Sequence, residues 1–188
     1  FNLLNVFKEY LGQKRKFKKK YTFFHVSTDE VYGSLKKFQA PSDEKSKYLP
    51  NSPYSSSKAS YNFLVRAWNV TSNLQVIITH CSNNYSPCQL PEKLITLVIY
   101  KAYTNQKIPI YGNGQNIRDW IFVEDHVRAL IEIARNGTNG EIYNIGAKQE
   151  IKNINLVKEI CKIMDKKKPK NNKHNNNNNI LLYRFVVY

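Results

Sequence analysis

The sequence lacks any apolar run near the ~20 residues that a membrane-spanning helix needs. It also lacks a basic segment followed by an apolar one, so it predicts no secretory signal peptide. The first residue is Phe1, inside a helical pattern, and we expect further sequence upstream of it. The composition, 41% hydrophobic and 23% charged over 188 residues, predicts a soluble globular protein.

Cysteine is scarce, with only Cys81, Cys88 and Cys161. An odd number of cysteines at irregular spacing matches neither a disulfide framework nor a zinc site. We interpret the three as free thiols that serve packing. This predicts a reducing, cytoplasmic compartment and no metal site.

Acidic residues are few, 14 against 29 lysines and arginines, and the formal net charge is +15. Most of the excess lies in two short basic runs, within residues 14–20 and 166–173. Phe17 is the single aromatic residue within these two runs, which is too few for stacking on successive bases. We therefore favour a solvated loop and a disordered tail over a nucleic-acid-binding protein, which stays as an alternative.

Hydrophobic periodicity and helix-start signals predict helices and strands in alternation. The helices fall at about 2–11, 52–71, 92–104, 125–135 and 155–164. The strands fall at about 21–27, 74–80, 108–111, 117–123 and 141–145, with a turn at 112–114 between the third and fourth. This alternation predicts an α/β fold with a mainly parallel sheet, whose ligands bind at the carboxyl ends of the strands, near residues 27–30 and 81–85.

Asp29 and Glu30 follow the first predicted strand, after Ser27 and Thr28. Two adjacent carboxylates repel each other, which pushes their pKa values apart. A proton donor beside a proton acceptor suits acid–base elimination. The alternative is a polar strand end with a capping aspartate.

Tyr54 and Lys58 lie four residues apart at the start of the second predicted helix, so they share one face. A neighbouring cation stabilises a phenolate, and a tyrosine so placed can accept a proton from a sugar hydroxyl beside a nicotinamide. The pair alone is a weak signal, because an ordinary exposed helix start can carry it by chance.

Together the two sites, with further motifs in the same order, resemble the dTDP-glucose 4,6-dehydratase family of the extended short-chain dehydrogenases/reductases. The resemblance covers roughly residues 1–165. The stretches that carry it are Ser27 to Gly33, Pro53 to Ser60, Leu64 to Trp68, Cys81 to Tyr85, Pro91 to Ile95, Pro109 to Gly112, Ile117 to Trp120, Val123 to His126 and Tyr143 to Gly146.

The resemblance implies a role for each catalytic residue. Tyr54 is the base at the carbon-4 hydroxyl, Lys58 tunes it, and Thr28 hydrogen-bonds the carbon-4 oxygen. Glu30 removes the carbon-5 proton, and Asp29 protonates the departing carbon-6 hydroxyl. Epimerases of the same family typically carry small uncharged residues at the positions of Asp29 and Glu30.

The resemblance also implies NAD as cofactor, a nucleotide-sugar substrate and a homodimer built with the helix that starts near Pro53. The implied cofactor-binding residues are Ser27, Tyr54, Lys58 and Asn84. The implied substrate-binding residues are Thr28, Asn83, Lys93, Leu94, Pro109, Ile110, Tyr111, Arg118 and Asn153. The diphosphate suits the forked guanidinium of Arg118.

The expected architecture is an incomplete Rossmann-like sheet in a partial epimerase/dehydratase domain, residues 1–165. Its substrate-binding portions are residues 85–122 and 146–165, and a low-complexity tail covers 166–188. Alternatives within this interpretation are a UDP-glucose 4,6-dehydratase of rhamnose synthesis and a non-catalytic remnant. Ser86 stands where the family usually has glycine. If that position needs a positive φ, the serine is strained there.

The family's glycine-rich turn before the first helix, and its Asp-Arg-Pro-Gly segment near the end, have no counterpart in the sequence. The turn normally brings a helix N-terminus to the cofactor pyrophosphate. We therefore expect the chain alone to bind NAD more weakly than micromolar. Isothermal titration of the purified chain with NAD checks this, and a micromolar dissociation constant would refute it.

Overall fold

The computed structural model describes residues 1–13, 21–35, 39–167 and 185–187. It contains five α-helices and eight β-strands. The helices are α1 Asn2–Gln13, α2 Pro53–Ser72, α3 Leu94–Tyr103, α4 Val123–Asn136 and α5 Asn153–Lys167. The strands are β1 Phe23–Thr28, β2 Val76–Cys81, β3 Asn83–Tyr85, β4 Ile108–Ile110, β5 Ile117–Phe122, β6 Ile142–Ile145, β7 Glu150–Lys152 and β8 Phe185–Val187.

The chain divides into two compact units. The first unit is Phe1–Ser82 with Val123–Ala147, and the second is Asn83–Phe122 with Lys148–Tyr188. No helix in the described part of the chain combines the length and the hydropathy needed to cross a membrane.

The first unit is built on a parallel three-stranded sheet with the order β1-β2-β6. In its register Thr28 lies opposite Cys81, and Cys81 lies opposite Ile145, so the three carboxyl ends share one edge. β2 is buried along most of its length, which fits its apolar start Val76 to Ile78. Residues of α1, α2, β2 and the segment between α2 and β2 form the core beside it: Leu4, Val65, Leu74, Val76 and Ile78.

The second unit holds two small sheets. In one, β5 pairs in parallel with β3 and antiparallel with β7, and in the other β4 pairs in parallel with β8. Its core joins α3, β4 and α5 through Val98, Ala102, Ile108, Val157 and Cys161. The parallel sheet of the first unit, with helices between its strands, confirms the α/β class expected from the sequence.

All five helices predicted from the sequence are present, and the boundaries of all five lie within three residues of those expected. Asp125 was expected to cap its helix, but α4 begins at Val123, and the carboxylate lies in the first turn instead. The turn at 112–114 does not join a hairpin, because β4 and β5 belong to different sheets. The short strands β3 and β7 were not expected, since three residues carry too little periodicity to be recognised.

Ser86 does not need the backbone conformation that glycine favours. The positive φ in this segment, 63°, belongs to Cys88, two residues further on. The predicted loop at 14–20 and the asparagine-rich part of the predicted tail, 168–184, lie outside the described residues. Of that tail, residues 166–167 continue α5, and β8 pairs with β4.

Gly33 ends the 3-10 turn Asp29–Tyr32 that follows β1. Its φ of 78° and ψ of −159° lie in a region that only glycine adopts readily, and a Cβ there would overlap the backbone carbonyl oxygen of Leu49. We expect Gly33→Ala to lower the free energy of unfolding by about 2 kcal/mol or more.

Urea denaturation measures this loss. Gly12→Ala is the matched control, because Gly12 lies in α1 with nothing within 4 Å of its added Cβ. That variant should be neutral or stabilising by about 0.5–1 kcal/mol, since alanine is the better helix former. Equal losses in both variants would contradict this account of Gly33.

Candidate functional site

The 3-10 turn at the carboxyl end of β1 carries the two predicted carboxylates. Thr28 caps this turn: its Oγ1 accepts a hydrogen bond from the backbone N–H of Glu30 at 3.3 Å. The same hydroxyl donates to Asp29 Oδ1 at 3.4 Å. Thr28 is buried, Asp29 is half-buried and Glu30 is exposed. The buried Thr28 therefore fixes the start of the turn, and the carboxylates that follow it are accessible to solvent.

The start of α2 carries Tyr54 and Lys58. Ser52 and Ser55 form a reciprocal capping box, and Pro53 occupies the first helical position, so the sequence itself determines where this helix begins. The Tyr54 side chain is 56% exposed, which leaves most of its phenol accessible to a ligand.

Two contacts bring this end of α2 against β1 and its turn. The Lys58 ammonium donates a hydrogen bond to the backbone carbonyl of Val26 at 2.8 Å. Ala59, the next residue, packs with Val31 and Tyr32 of the turn in one buried cluster. The structure therefore gathers all five predicted catalytic residues in the first unit: Thr28, Asp29, Glu30, Tyr54 and Lys58.

Buried polar side chains lie beneath this region. The hydroxyl of Ser27, a residue only 4% exposed, has no hydrogen-bond partner among the described residues. Burial, helped by the charge of Lys58, lowers the pKa of His25 to about 4. Burial also lowers the pKa of His80 to about 4, so both rings are neutral at physiological pH.

The second unit contains a cleft of about 160 Å³. The residues that line it are Asn83, Asn84, Gln89, Lys93, Leu94, Arg118, Trp120 and Asn153. Three of them carry buried polar atoms with no partner in the described part of the chain: Gln89 Oε1, Trp120 Nε1 and Asn153 Oδ1. Buried polar groups are normally hydrogen-bonded, so this lining is suited to a polar ligand.

Two cations border the cleft. Arg118 is exposed and uses Nη1 to donate to its neighbouring carbonyl, that of Ile117, at 3.2 Å. Lys93 makes a surface ion pair with Glu92 at 3.5 Å, and both side chains are more than half exposed. Exposed pairs of this kind contribute little, so both cations remain able to bind an anionic group.

The structure brings together some of the predicted substrate residues and not others. Asn83, Lys93, Leu94, Arg118 and Asn153 line the cleft, together with Asn84, the predicted cofactor residue. Pro109, Ile110 and Tyr111 are not among its lining residues, and Thr28 belongs to the other unit.

Burial differs among these three residues. Ile110, in β4, is 5% exposed and lies in the interior of its unit, whereas Tyr111, just after β4, is 68% exposed. Gln89 and Trp120 were missed at the sequence level. Trp120 ends the Ile117–Trp120 motif and could have been found there, but nothing in the sequence marks Gln89.

The residues present fit the nicotinamide and its ribose better than they fit the pyrophosphate of NAD. A phenol and an ammonium one helical turn apart, with the buried hydroxyl of Ser27 nearby in the same unit, suit a nicotinamide and its ribose. The seven glycines of the sequence do not form a glycine-rich turn that leads from a strand into a helix. A turn of this kind would bind the pyrophosphate at the helix N-terminus.

Comparison with known proteins identifies one family. The family model described as GDP-mannose 4,6 dehydratase matches residues 1–185. A dTDP-glucose 4,6-dehydratase of Escherichia coli is 52% identical over 153 residues, which are 77% of this chain and 42% of the relative. A dTDP-glucose 4,6-dehydratase of Neisseria gonorrhoeae is 46% identical over 171 residues, 90% of this chain and 49% of the relative.

Solved structures agree with the sequence comparison. The dTDP-glucose 4,6-dehydratase of Bacillus anthracis in complex with NAD has a TM-score of 0.80 at 40% identity, with 99% of this chain and 53% of that chain covered. The enzyme of the same name from Streptomyces venezuelae, solved with NAD bound, has a TM-score of 0.74 at 41% identity, with 77% and 44% covered. The chain thus spans about half the length of the relatives it matches.

Proposed function

Because the chain belongs to the GDP-mannose 4,6-dehydratase family, we propose that it carries the catalytic residues of a dTDP-glucose 4,6-dehydratase, an NAD-dependent lyase. The observation that carries this proposal is the packing of the α2 start, with Tyr54 and Lys58, against the turn that bears Asp29 and Glu30. A hexose that loses water needs a base at one hydroxyl and a separate acid and base at the neighbouring carbons.

When bound, NAD would supply a reversible hydride acceptor for the sugar, and Ser27, Tyr54 and Lys58 are the residues of the first unit proposed to hold it. The positive charge of Lys58 stabilises the phenolate form of Tyr54, and this phenolate takes the proton of the carbon-4 hydroxyl. The ammonium has three donors and uses one on Val26, so two remain for a cofactor ribose. The hydroxyl of Thr28 hydrogen-bonds the carbon-4 oxygen.

The two carboxylates of the turn divide the elimination between them. Once carbon 4 is a ketone, the proton on carbon 5 is acidic, and the exposed carboxylate of Glu30 removes it. Asp29, half-buried and hydrogen-bonded by Thr28, gives its proton to the carbon-6 hydroxyl, which leaves as water.

The cleft of the second unit is proposed to bind the nucleotide diphosphate. Arg118 and Lys93 supply positive charge for the phosphates, and Asn83 and Asn153 supply amides. We assign residues 85–122 and 146–165 to this substrate-binding region. The dTDP-linked sugar is preferred over the UDP-linked one because the curated relatives compared above are dTDP-glucose 4,6-dehydratases.

We further propose a homodimer and a cytoplasmic location. The outer face of α2 exposes Phe63 and Val70 by 60% and 67%, which suits a helix-mediated interface between two copies. Cys81, Cys88 and Cys161 form no disulfide among the described residues, which suits a reducing compartment.

Tyr54→Phe and Glu30→Gln should each lower turnover of dTDP-glucose about 100-fold or more, because each removes a proton-transfer group. The purified chain is assayed with dTDP-glucose at millimolar NAD, and loss of one water is followed by mass spectrometry. UDP-glucose is assayed in parallel and should be the poorer substrate.

Tyr103→Phe and Glu141→Gln are the controls, since both side chains are exposed and outside the site. They should leave turnover within about twofold, as surface substitutions usually do. Equal activity in the wild type, Tyr54→Phe and Glu30→Gln would refute the catalytic assignment.

Arg118→Ala should weaken the binding of dTDP about tenfold or more, because a charge-assisted pair with the diphosphate is lost. Isothermal titration with dTDP alone measures this without any need for turnover or NAD. Arg128→Ala is the control, because that arginine is 74% exposed and pairs only with Glu124 and Asp125 on α4 among the described ion pairs. Unchanged affinity in Arg118→Ala would remove the cleft from the substrate site.

A further inference from the structure

A histidine that the proposed mechanism does not use lies at the centre of the first unit. His80 is 1% exposed, and in the parallel register it lies between Ser27 of β1 and Asn144 of β6. Its two ring nitrogens contact side chains from four other segments. These are Tyr32 of the 3-10 turn, Tyr48 of the segment before α2, Asn62 of α2 and Asn144 of β6.

The partners determine where the ring proton lies. Nδ1 is 3.2 Å from Asn144 Oδ1, which only accepts, and 2.9 Å from the Tyr32 hydroxyl, which itself donates to Asn144 Oδ1 at 2.9 Å. Nδ1 must therefore carry the proton. Nε2 is 2.9 Å from Asn62 Nδ2, which only donates, so Nε2 must be the acceptor.

The Tyr48 hydroxyl, 3.2 Å from Nε2, completes this arrangement as a second donor. The neutral Nδ1–H tautomer satisfies every one of these contacts. An imidazolium would place an N–H against the amide N–H₂ of Asn62.

This network reaches the catalytic turn through one residue. Tyr32 is the last residue of the turn that contains Asp29 and Glu30, and it is 7% exposed. Its ring packs edge-on against His80, with centroids 5.1 Å apart and an interplanar angle of 87°. At the other end the turn is capped by Thr28, so its two ends are held and the carboxylates lie between them.

We propose that His80 is a positioning residue: its neutral imidazole, protonated on Nδ1, holds the Tyr32 hydroxyl and so orients the turn that carries Asp29 and Glu30. The consequence for catalysis rests on the function proposed above. The structural part of the proposal, that His80 holds Tyr32 and the turn, does not rest on that function. The contacts of His80 are the same whether or not Asp29 and Glu30 are catalytic.

The surroundings of His80 keep the ring neutral. Burial is the main cause that lowers its pKa to about 4. The hydrogen bond with Asn144 and the charge of Glu44 act in the opposite direction, and the charge of Lys58 adds to the lowering. The proton on Nδ1 is therefore retained as a fixed donor across the pH range in which most enzymes work.

The first test is the nitrogen NMR spectrum of the imidazoles in the full chain at pH 7. His80 should show a protonated Nδ1 and an unprotonated Nε2. The opposite tautomer, or a doubly protonated ring, would overturn the proposal.

The second test removes the contact. In His80→Phe, which keeps a ring but no nitrogen, the amide hydrogens of residues 30–33 should exchange about tenfold faster or more, since a buried hydrogen bond is lost. His80→Asn places an amide N–H near the position of Nδ1 and should restore most of the protection. His126→Phe is the control, because it replaces another buried histidine by the same residue and should leave these amides unchanged.

Unchanged exchange in His80→Phe, or equal acceleration in His126→Phe, would overturn the proposal. So would a failure of His80→Asn to restore protection while it remains folded.

The third test concerns turnover of dTDP-glucose at millimolar NAD. His80→Phe should lower kcat about tenfold or more with little change in KM, because a displaced turn impairs chemistry while the nucleotide cleft lies in the other unit. Tyr32→Phe should do the same, and the double variant should be no worse than either single one, since both act on one contact.

Additive losses in the double variant, or an effect on KM alone, would overturn the role in catalysis. If Tyr54→Phe and Glu30→Gln prove as active as the wild type, the proposed function fails instead. The tautomer and exchange measurements then still decide whether His80 holds the turn.

Discussion

Parallel pairing of β1 with β2 and β6 is the constraint on which the first unit depends. It aligns Thr28 with Cys81 and Cys81 with Ile145, and so places three strand ends at one edge. The backbone leaves the sheet there as a short turn, and adjacent carboxylates can face solvent without the cost of burial. The α2 helix then has to cover the sheet, and the bond from Lys58 to Val26 ties its first turns to β1.

The second unit contains the cleft described above. Its cleft combines two exposed cations with buried amide and indole atoms that have no partner in the described chain. Such atoms cost free energy unless a ligand or water satisfies them. Under the function proposed above, the first unit would supply the proton-transfer groups and the second unit the groups for an anionic nucleotide.

Much of the fold and of the candidate site could be predicted from the sequence. The buried strands β1 and β2 and the capped start of α2 have strong local signals, and the order of the motifs led to the catalytic residues that are proposed here. Pairing was harder, because the register and the partners of short strands such as β4 depend on distant segments rather than on local pattern. Gln89 and the contacts of His80 were also beyond prediction, since a lone polar residue gains a role only from neighbours brought together by folding.

The central claim is that the carboxylate of Glu30 removes the carbon-5 proton of a nucleotide-linked glucose within this chain's own site. The most direct measurement is conversion of dTDP-glucose in D₂O at millimolar NAD, with the product analysed by NMR. The account predicts deuterium at carbon 5 of the dehydrated sugar, because the proton removed there is replaced from solvent. Dehydrated product that retains hydrogen at carbon 5, or a preparation that makes no such product, would contradict it.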